Sequence, residues 1–140
     1  MKTLFKNFIL CGILGWCFEI IYTAAHSLRR RDMKLTGQTS IWMFPIYGLA
    51  ALLKPLFTFM KTKPVLIRGS IYSFLIFAAE FIAGDYLTKK NICPWDYFRS
   101  KWNVKRLIRL DYIPHWMAAG LIFEKILTSP LTQGSPKTSA

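Results

Sequence analysis

Charge is laid out along this chain in blocks, and that layout limits what it can fold into. Across residues 7–25 the only charged side chain is Glu19. Such a run has about the length a helix needs to cross a hydrocarbon core roughly 30 Å thick. Three more apolar runs follow. Residues 41–60 carry Lys54, residues 65–87 carry Arg68, Glu80 and Asp85, and residues 112–128 carry His115, Glu124 and Lys125. The stretches between them are basic. His26, Arg29, Arg30, Arg31 and Lys34 follow the first run. Lys89, Lys90, Arg99, Lys101, Lys105, Arg106 and Arg109 precede the last.

The alternation predicts an all-α fold: a multipass transmembrane bundle of about four helices, with an amphipathic or re-entrant segment before the last. Residues 1–128 form the membrane domain, with spans at 7–25, 41–60, 65–87 and 112–128. Residues 129–140 are Ser/Thr/Pro/Gly-rich and read as a disordered polar tail. Pro45 suits a first helical turn, whereas Lys54-Pro55 predicts a kink or an early end in the second span. Basic residues concentrate after the first and third spans, which in a four-span chain favours both termini outside the cytoplasm.

Hydrophobic residues make up 53% of the chain, and the net charge is +12. An excess of that size is also a mark of nucleic-acid binding. Here the charges flank apolar runs, where anionic lipid headgroups would meet them, so no nucleic-acid partner is expected. The amino-terminal run resembles a signal peptide, but Glu19 interrupts what is normally an uncharged core, so a retained helix is expected. Cys11, Cys17 and Cys93 show no metal-ligand spacing, and buried packing is their default role. Cys93, near a predicted interface, is also a candidate for acylation.

The charged positions inside the spans are the candidate polar site: Glu19, Arg68, Glu80 and Glu124. An ionised carboxylate at mid-bilayer costs about 3 kcal/mol on insertion scales, so such groups turn inward and find partners. They line a path for an ion, a proton or a polar solute, or they tie helices together. For Glu124, beside Lys125, the tie is the stronger reading. The stretches Gly15-Trp16-Cys17-Phe18-Glu19 and Gly120-Leu121-Ile122-Phe123-Glu124 share the pattern G-x-x-F-E. In a four-span chain they run in opposite directions, as inverted repeats do. Three identities in five positions also arise by coincidence in a Phe-rich chain.

Trp95, Phe98 and Trp102 recur at helical spacings among basic residues, as in a segment lying at the headgroup boundary. An extended loop packed on the bundle ends is the alternative. Lys101, Lys105, Arg106 and Arg109 are its candidate lipid-binding groups. No P-loop, dinucleotide fingerprint, HExxH or GxSxG pattern is present, so neither a cofactor nor a metal site is expected and no enzyme activity is indicated. A lipid-directed enzyme using Asp96, His115 and a glutamate as acid and base lacks any supporting nucleophile–base spacing.

Several blocks in order resemble the bacterial ABC-transporter type IV family, also called the CmpB-like ABC-transporter permeases. They are Gly15-Trp16-Cys17-Phe18-Glu19, Trp42-Met43-Phe44-Pro45-Ile46-Tyr47-Gly48, Arg68-Gly69-Ser70-Ile71-Tyr72 running to Glu80-Phe81-Ile82-Ala83-Gly84, Pro94-Trp95-Asp96-Tyr97, and Asn103. Together they cover roughly residues 10–125, and a vertebrate multipass family is similar in layout. The resemblance implies a helical multipass protein of the cell membrane. By motif match it singles out Glu19, Arg68, Glu80, Trp95, Asp96 and Asn103, with Trp95, Asp96 and Asn103 as an interfacial motif. The chain departs from the family pattern at Lys105-Arg106, where a glycine tends to follow the asparagine, and at Lys54.

The expectation is a small transport-related subunit without its own ATPase, working as a homo-oligomer or with partner membrane subunits in contact with membrane lipids. The alternative is a non-catalytic scaffold or regulatory protein that binds anionic lipid or a partner membrane protein.

Overall fold

A computed structural model describes residues 1–130 and Thr132. It is mostly helical: α1 (Lys2–Arg29), α2 (Met43–Met60), α3 (Val65–Lys89) and α4 (Ile113–Leu127). A small antiparallel ribbon, β1 (Asn103–Val104) and β2 (Ile108–Arg109), lies between α3 and α4 in the chain. The all-α class expected from the charge layout is the class observed. Apart from Ser129, Pro130 and Thr132, the tail expectation falls outside the described residues.

The chain divides into two compact units. One comprises Met1–Lys54 with the described residues after Thr128, and the other Pro55–Thr128. In the first, α1 packs on the front of α2; in the second, α3 packs on α4. The boundary falls within α2, where the sequence predicts a break. The helix tightens to a 3-10 turn over Leu49–Leu53. Pro55 has no N–H for the carbonyl of Ala51, and the amide of Lys54 takes that carbonyl one residue early. Proline therefore reshapes this helix without ending it.

α1 and α3 stop in the same way, without glycine. After α1, Arg31 takes a left-handed φ of 59°, and Asp32 N reaches back to Ser27 O at 3.0 Å. After α3, Asn91 takes φ 55°, and Ile92 N reaches Leu87 O at 3.0 Å. These backward bonds satisfy carbonyls that the helix end leaves open.

Among the described residues three helices, α1, α2 and α3, are long and apolar enough to cross a membrane. The 15 residues of α4 rise about 22 Å, short of a core about 30 Å thick. The outward faces carry many large apolar side chains: Phe5, Ile21, Leu66, Phe74 and Ile82 are each about two-thirds exposed or more, the kind of surface that marks contact with a membrane or a partner. Lipid is the solvent that suits such surfaces.

The segment between α3 and α4 holds no α-helix; its one helical piece is a 3-10 turn at Leu110–Tyr112. Trp95 lies in irregular backbone and Phe98 and Trp102 in turns ahead of the short ribbon, so their three-and-four spacing is not that of a helix. Asp96 and Asn103 bond to nearby backbone here and so offer the chain an alternative to a helix.

Candidate functional site

Two of the candidate glutamates sit in closely similar settings, one in each unit. In the first unit, Gly15 of α1 lies against Tyr47 of α2. A Cβ at Gly15 would collide with Cβ and Cγ of that tyrosine. One helical turn on, Glu19 Oε1 faces the Tyr47 hydroxyl, which donates to it at 3.4 Å. In the second unit, Gly120 of α4 lies against Tyr72 of α3, whose Cβ a side chain at Gly120 would strike. One turn on, the Tyr72 hydroxyl donates to Glu124 Oε2 at 2.6 Å. The G-x-x-F-E echo thus marks a shared local device. The glycine lets a tyrosine close to the helix backbone, and the tyrosine reaches the carboxylate.

The two settings differ in charge. Glu124 Oε1 pairs with Nη1 of Arg68 at 3.1 Å, and both side chains are largely enclosed, at 7% and 17% exposure. Arg68 and Tyr72 lie four residues apart on α3 and therefore share a face. The same Nη1 donates to Lys61 O at 3.2 Å, closing the link before α3. Tyr72 is fixed from its other side by the Phe57 ring, edge to face at 4.8 Å. Arg68 and Glu124 are thus brought together as a buried tie between helices. Glu19 has neutral donors: Thr39 Oγ1 at 2.7 Å besides Tyr47. Among the described residues no ion pair to Glu19 is found.

Glu80 lies on the buried seam of α3, with Ser73, Phe77, Gly84 and Leu87, at 5% exposure. The seam advances by four, three, four and three residues, which keeps one helical face inward.

The interfacial motif forms the base of the ribbon. Trp95 packs on α3 at Gly84, and its indole N–H donates to Leu107 O at 3.0 Å. Asp96 accepts from Phe98 N at 2.9 Å and from Arg106 Nε at 2.9 Å, and also pairs with Nη2 of Arg106. Those bonds from Arg106 hold the Asp96 carboxyl below the usual carboxylate range and push the guanidinium up. Asn103 donates to Ser100 O and accepts from Arg106 N at 3.1 Å. Leu107 N bonds to Val104 O at 3.0 Å, with φ 49° at Lys105 and 64° at Arg106, a turn with both central residues left-handed. This is a turn whose backbone conformation suits glycine or asparagine better than Lys105 and Arg106.

Of the four candidate lipid-binding groups, two have acidic partners within the chain. Arg106 holds Asp96. Arg109 grips Asp111 through Nε and Nη2, at 2.8 and 2.6 Å, and lies over the Tyr112 ring. The grip of Arg109 also lowers the Asp111 carboxyl. Lys101 is exposed, and the Lys105 ammonium lies 5.6 Å from the Phe81 ring centre. His115 packs against the rings of Tyr112 and Trp116, which also touch each other.

The residues that complete these settings were not singled out from sequence: Tyr47, Tyr72 and Thr39, and a polar stripe on α1 formed by Trp16, Thr23 and Ser27. The stripe has a legible signal. With Glu19 it repeats at three and four residues in an otherwise apolar helix. The tyrosines stand within the family-resembling blocks, but tyrosine is common on apolar helices and nothing in the blocks marks them as partners of the glutamates.

No solved structure matches the chain significantly. The family model described as Putative ABC-transporter type IV matches residues 6–139, nearly the whole length. With three helices fit to cross a membrane and that match, the chain is a membrane protein of a transport-related family, and it belongs to the Putative ABC-transporter type IV family.

Proposed function

We propose that this protein is a small multipass permease subunit of the cell membrane that passes a small cation and carries no ATPase of its own. Besides the family, one observation supports this reading. Glu19 sits well inside a helix of spanning length, and its carboxylate is met by hydroxyl groups and by no cation among the described residues. Glu19 is half-buried, and a carboxylate at membrane depth is costly unless answered, so this position favours a passing cation or proton. Arg68–Glu124 and Glu80 belong to the frame that holds α3 and α4. Further copies of the chain would enclose the path, because so few helices surround little space.

Flux into liposomes tests this. Purified protein is reconstituted with an entrapped pH dye or an entrapped potassium indicator. Under an imposed gradient, at least one signal is expected to exceed that of empty liposomes, and Glu19→Gln is expected to abolish the excess. Flux equal to empty liposomes, or unchanged by Glu19→Gln, refutes the reading.

A second reading has its own support. Phe98 and Trp102 are about two-thirds exposed beside Lys101, the composition of a surface resting among headgroups. As a scaffold the protein would hold anionic lipid through Lys101 and Lys105. Equal association with neutral and anionic lipid, measured for wild type and for Lys101→Gln with Lys105→Gln, counts against it.

A further inference from the structure

The polar stripe of α1 has a partner. After α1 ends, residues 36–40 return along it without helical structure. Ser27 Oγ donates to Thr36 O at 3.2 Å. Thr23 Oγ1 accepts from Gln38 N at 2.8 Å, while its own hydrogen has Glu19 O at 2.7 Å as the nearest acceptor and Gln38 O at 3.1 Å. Thr39 Oγ1 donates to Glu19 Oε2 at 2.7 Å, and Trp16 Nε1 donates to Ser40 O at 2.9 Å. The segment therefore descends antiparallel to α1 from the level of Ser27 to that of Trp16. At 1.5 Å per residue this is about 16 Å, close to half the thickness of a hydrocarbon core.

Extended backbone cannot face lipid, because its N–H and C=O groups find no partner there. At membrane depth it survives only against protein or water. α1 meets the carbonyls of Thr36 and Ser40 and the amide of Gln38. Thr36, Gln38 and Thr39 are nonetheless exposed and polar. On the far side of α1, at the level of Glu19, Ile21 is exposed and apolar, which suits lipid. One helix thus presents a polar side and an apolar side at the same height.

We propose that residues 36–40 line a water-filled vestibule descending along α1 to about the level of Trp16, and that Glu19 on its wall attracts small cations into it. The cation preference builds on the transport reading, whereas the water access does not depend on it. Glu124, in the matching Gly–Tyr–Glu setting, has Arg68 as its counter-charge. Glu19 takes its counter-charge from the vestibule.

Thiol accessibility in liposomes tests this. In full-length protein with Cys11→Ala, Cys17→Ser and Cys93→Ser, single cysteines are placed by Gln38→Cys, Thr39→Cys and Ile21→Cys. The probes are trimethylammonium-ethyl and sulfonato-ethyl methanethiosulfonate, which react with the thiolate that forms only in water. Modification at positions 38 and 39 is expected to be roughly tenfold faster than at 21, since lipid suppresses the thiolate. The cationic reagent is expected to outpace the anionic one after allowance for their rates with free thiol, and Glu19→Gln is expected to erase that bias. Equal rates at 39 and 21 overturn the vestibule, because both then lie in the same solvent. Fast modification with no bias, or a bias that survives Glu19→Gln, overturns the role of Glu19. A wet vestibule in protein that passes no ions supports this inference while refuting the transport reading.

Discussion

Tyr72 on α3 reaches across to Glu124 on α4 and donates a 2.6 Å hydrogen bond to a carboxylate that Arg68 holds from the other side. The two helices are joined by this three-residue cluster, and its position depends on Gly120 letting the tyrosine approach. Removing the hydroxyl alone isolates its share. Tyr72→Phe is expected to cost about 1.5–3 kcal/mol, the range for hydrogen bonds to a charged group. Unfolding of the purified protein in detergent measures it, and a loss below a few tenths would show that the bond carries no load.

Breaking the ion pair from one side strands a charge. Arg68→Met is expected to destabilise by about 3–5 kcal/mol, and adding Glu124→Gln is expected to restore part of it, because the neutral amide strands no charge and still offers an oxygen to the Tyr72 hydroxyl. A double-mutant cycle on the same unfolding signal gives the coupling between the two positions. Additive losses would place the two side chains in separate environments.

The glycines make a matched pair of tests. Gly15→Ala and Gly120→Ala each put a methyl group where a tyrosine side chain lies. Each is expected to cost about 1–3 kcal/mol by overpacking, despite the higher helix propensity of alanine. Thermal unfolding in detergent distinguishes this from the small gain alanine would give at an open helical position.

The turn of the ribbon holds two residues with left-handed φ, Lys105 and Arg106, and neither is suited to it. Lys105→Asn is expected to stabilise the ribbon by about 0.5–1 kcal/mol, since asparagine tolerates this conformation better. Slower amide exchange at Leu107 and Leu110, whose N–H groups bond within the ribbon, is the readout.

Acid should loosen the same segment. The folded Asp96 carboxyl is held below its ordinary value by Arg106. Its contribution is therefore present above the unfolded pKa of about 4, and is lost as pH falls from there through the lower folded value. Faster amide exchange at Tyr97 and Phe98 with falling pH, after correction for intrinsic rates, is expected in that window. Asp96→Asn should flatten the response.

Much of this protein was legible before any coordinates. Residues 7–25 with a single charge, and basic clusters on either side of apolar runs, define membrane helices because lipid penalises charge and open backbone alike. Lys54-Pro55 marked the place where α2 tightens, since a missing N–H is a property of proline wherever it stands. Glu19, Arg68, Glu80 and Glu124 stood out because ionisable groups in oil are expensive. Their partners were not legible. Arg68 with Glu124, Tyr47 with Glu19, and the return of residues 36–40 along Trp16, Glu19, Thr23 and Ser27 join positions up to 56 residues apart. The sequence could state that each carboxylate needs an answer. Which group supplies it depends on which helix faces meet, and packing and backbone approach decide that in three dimensions.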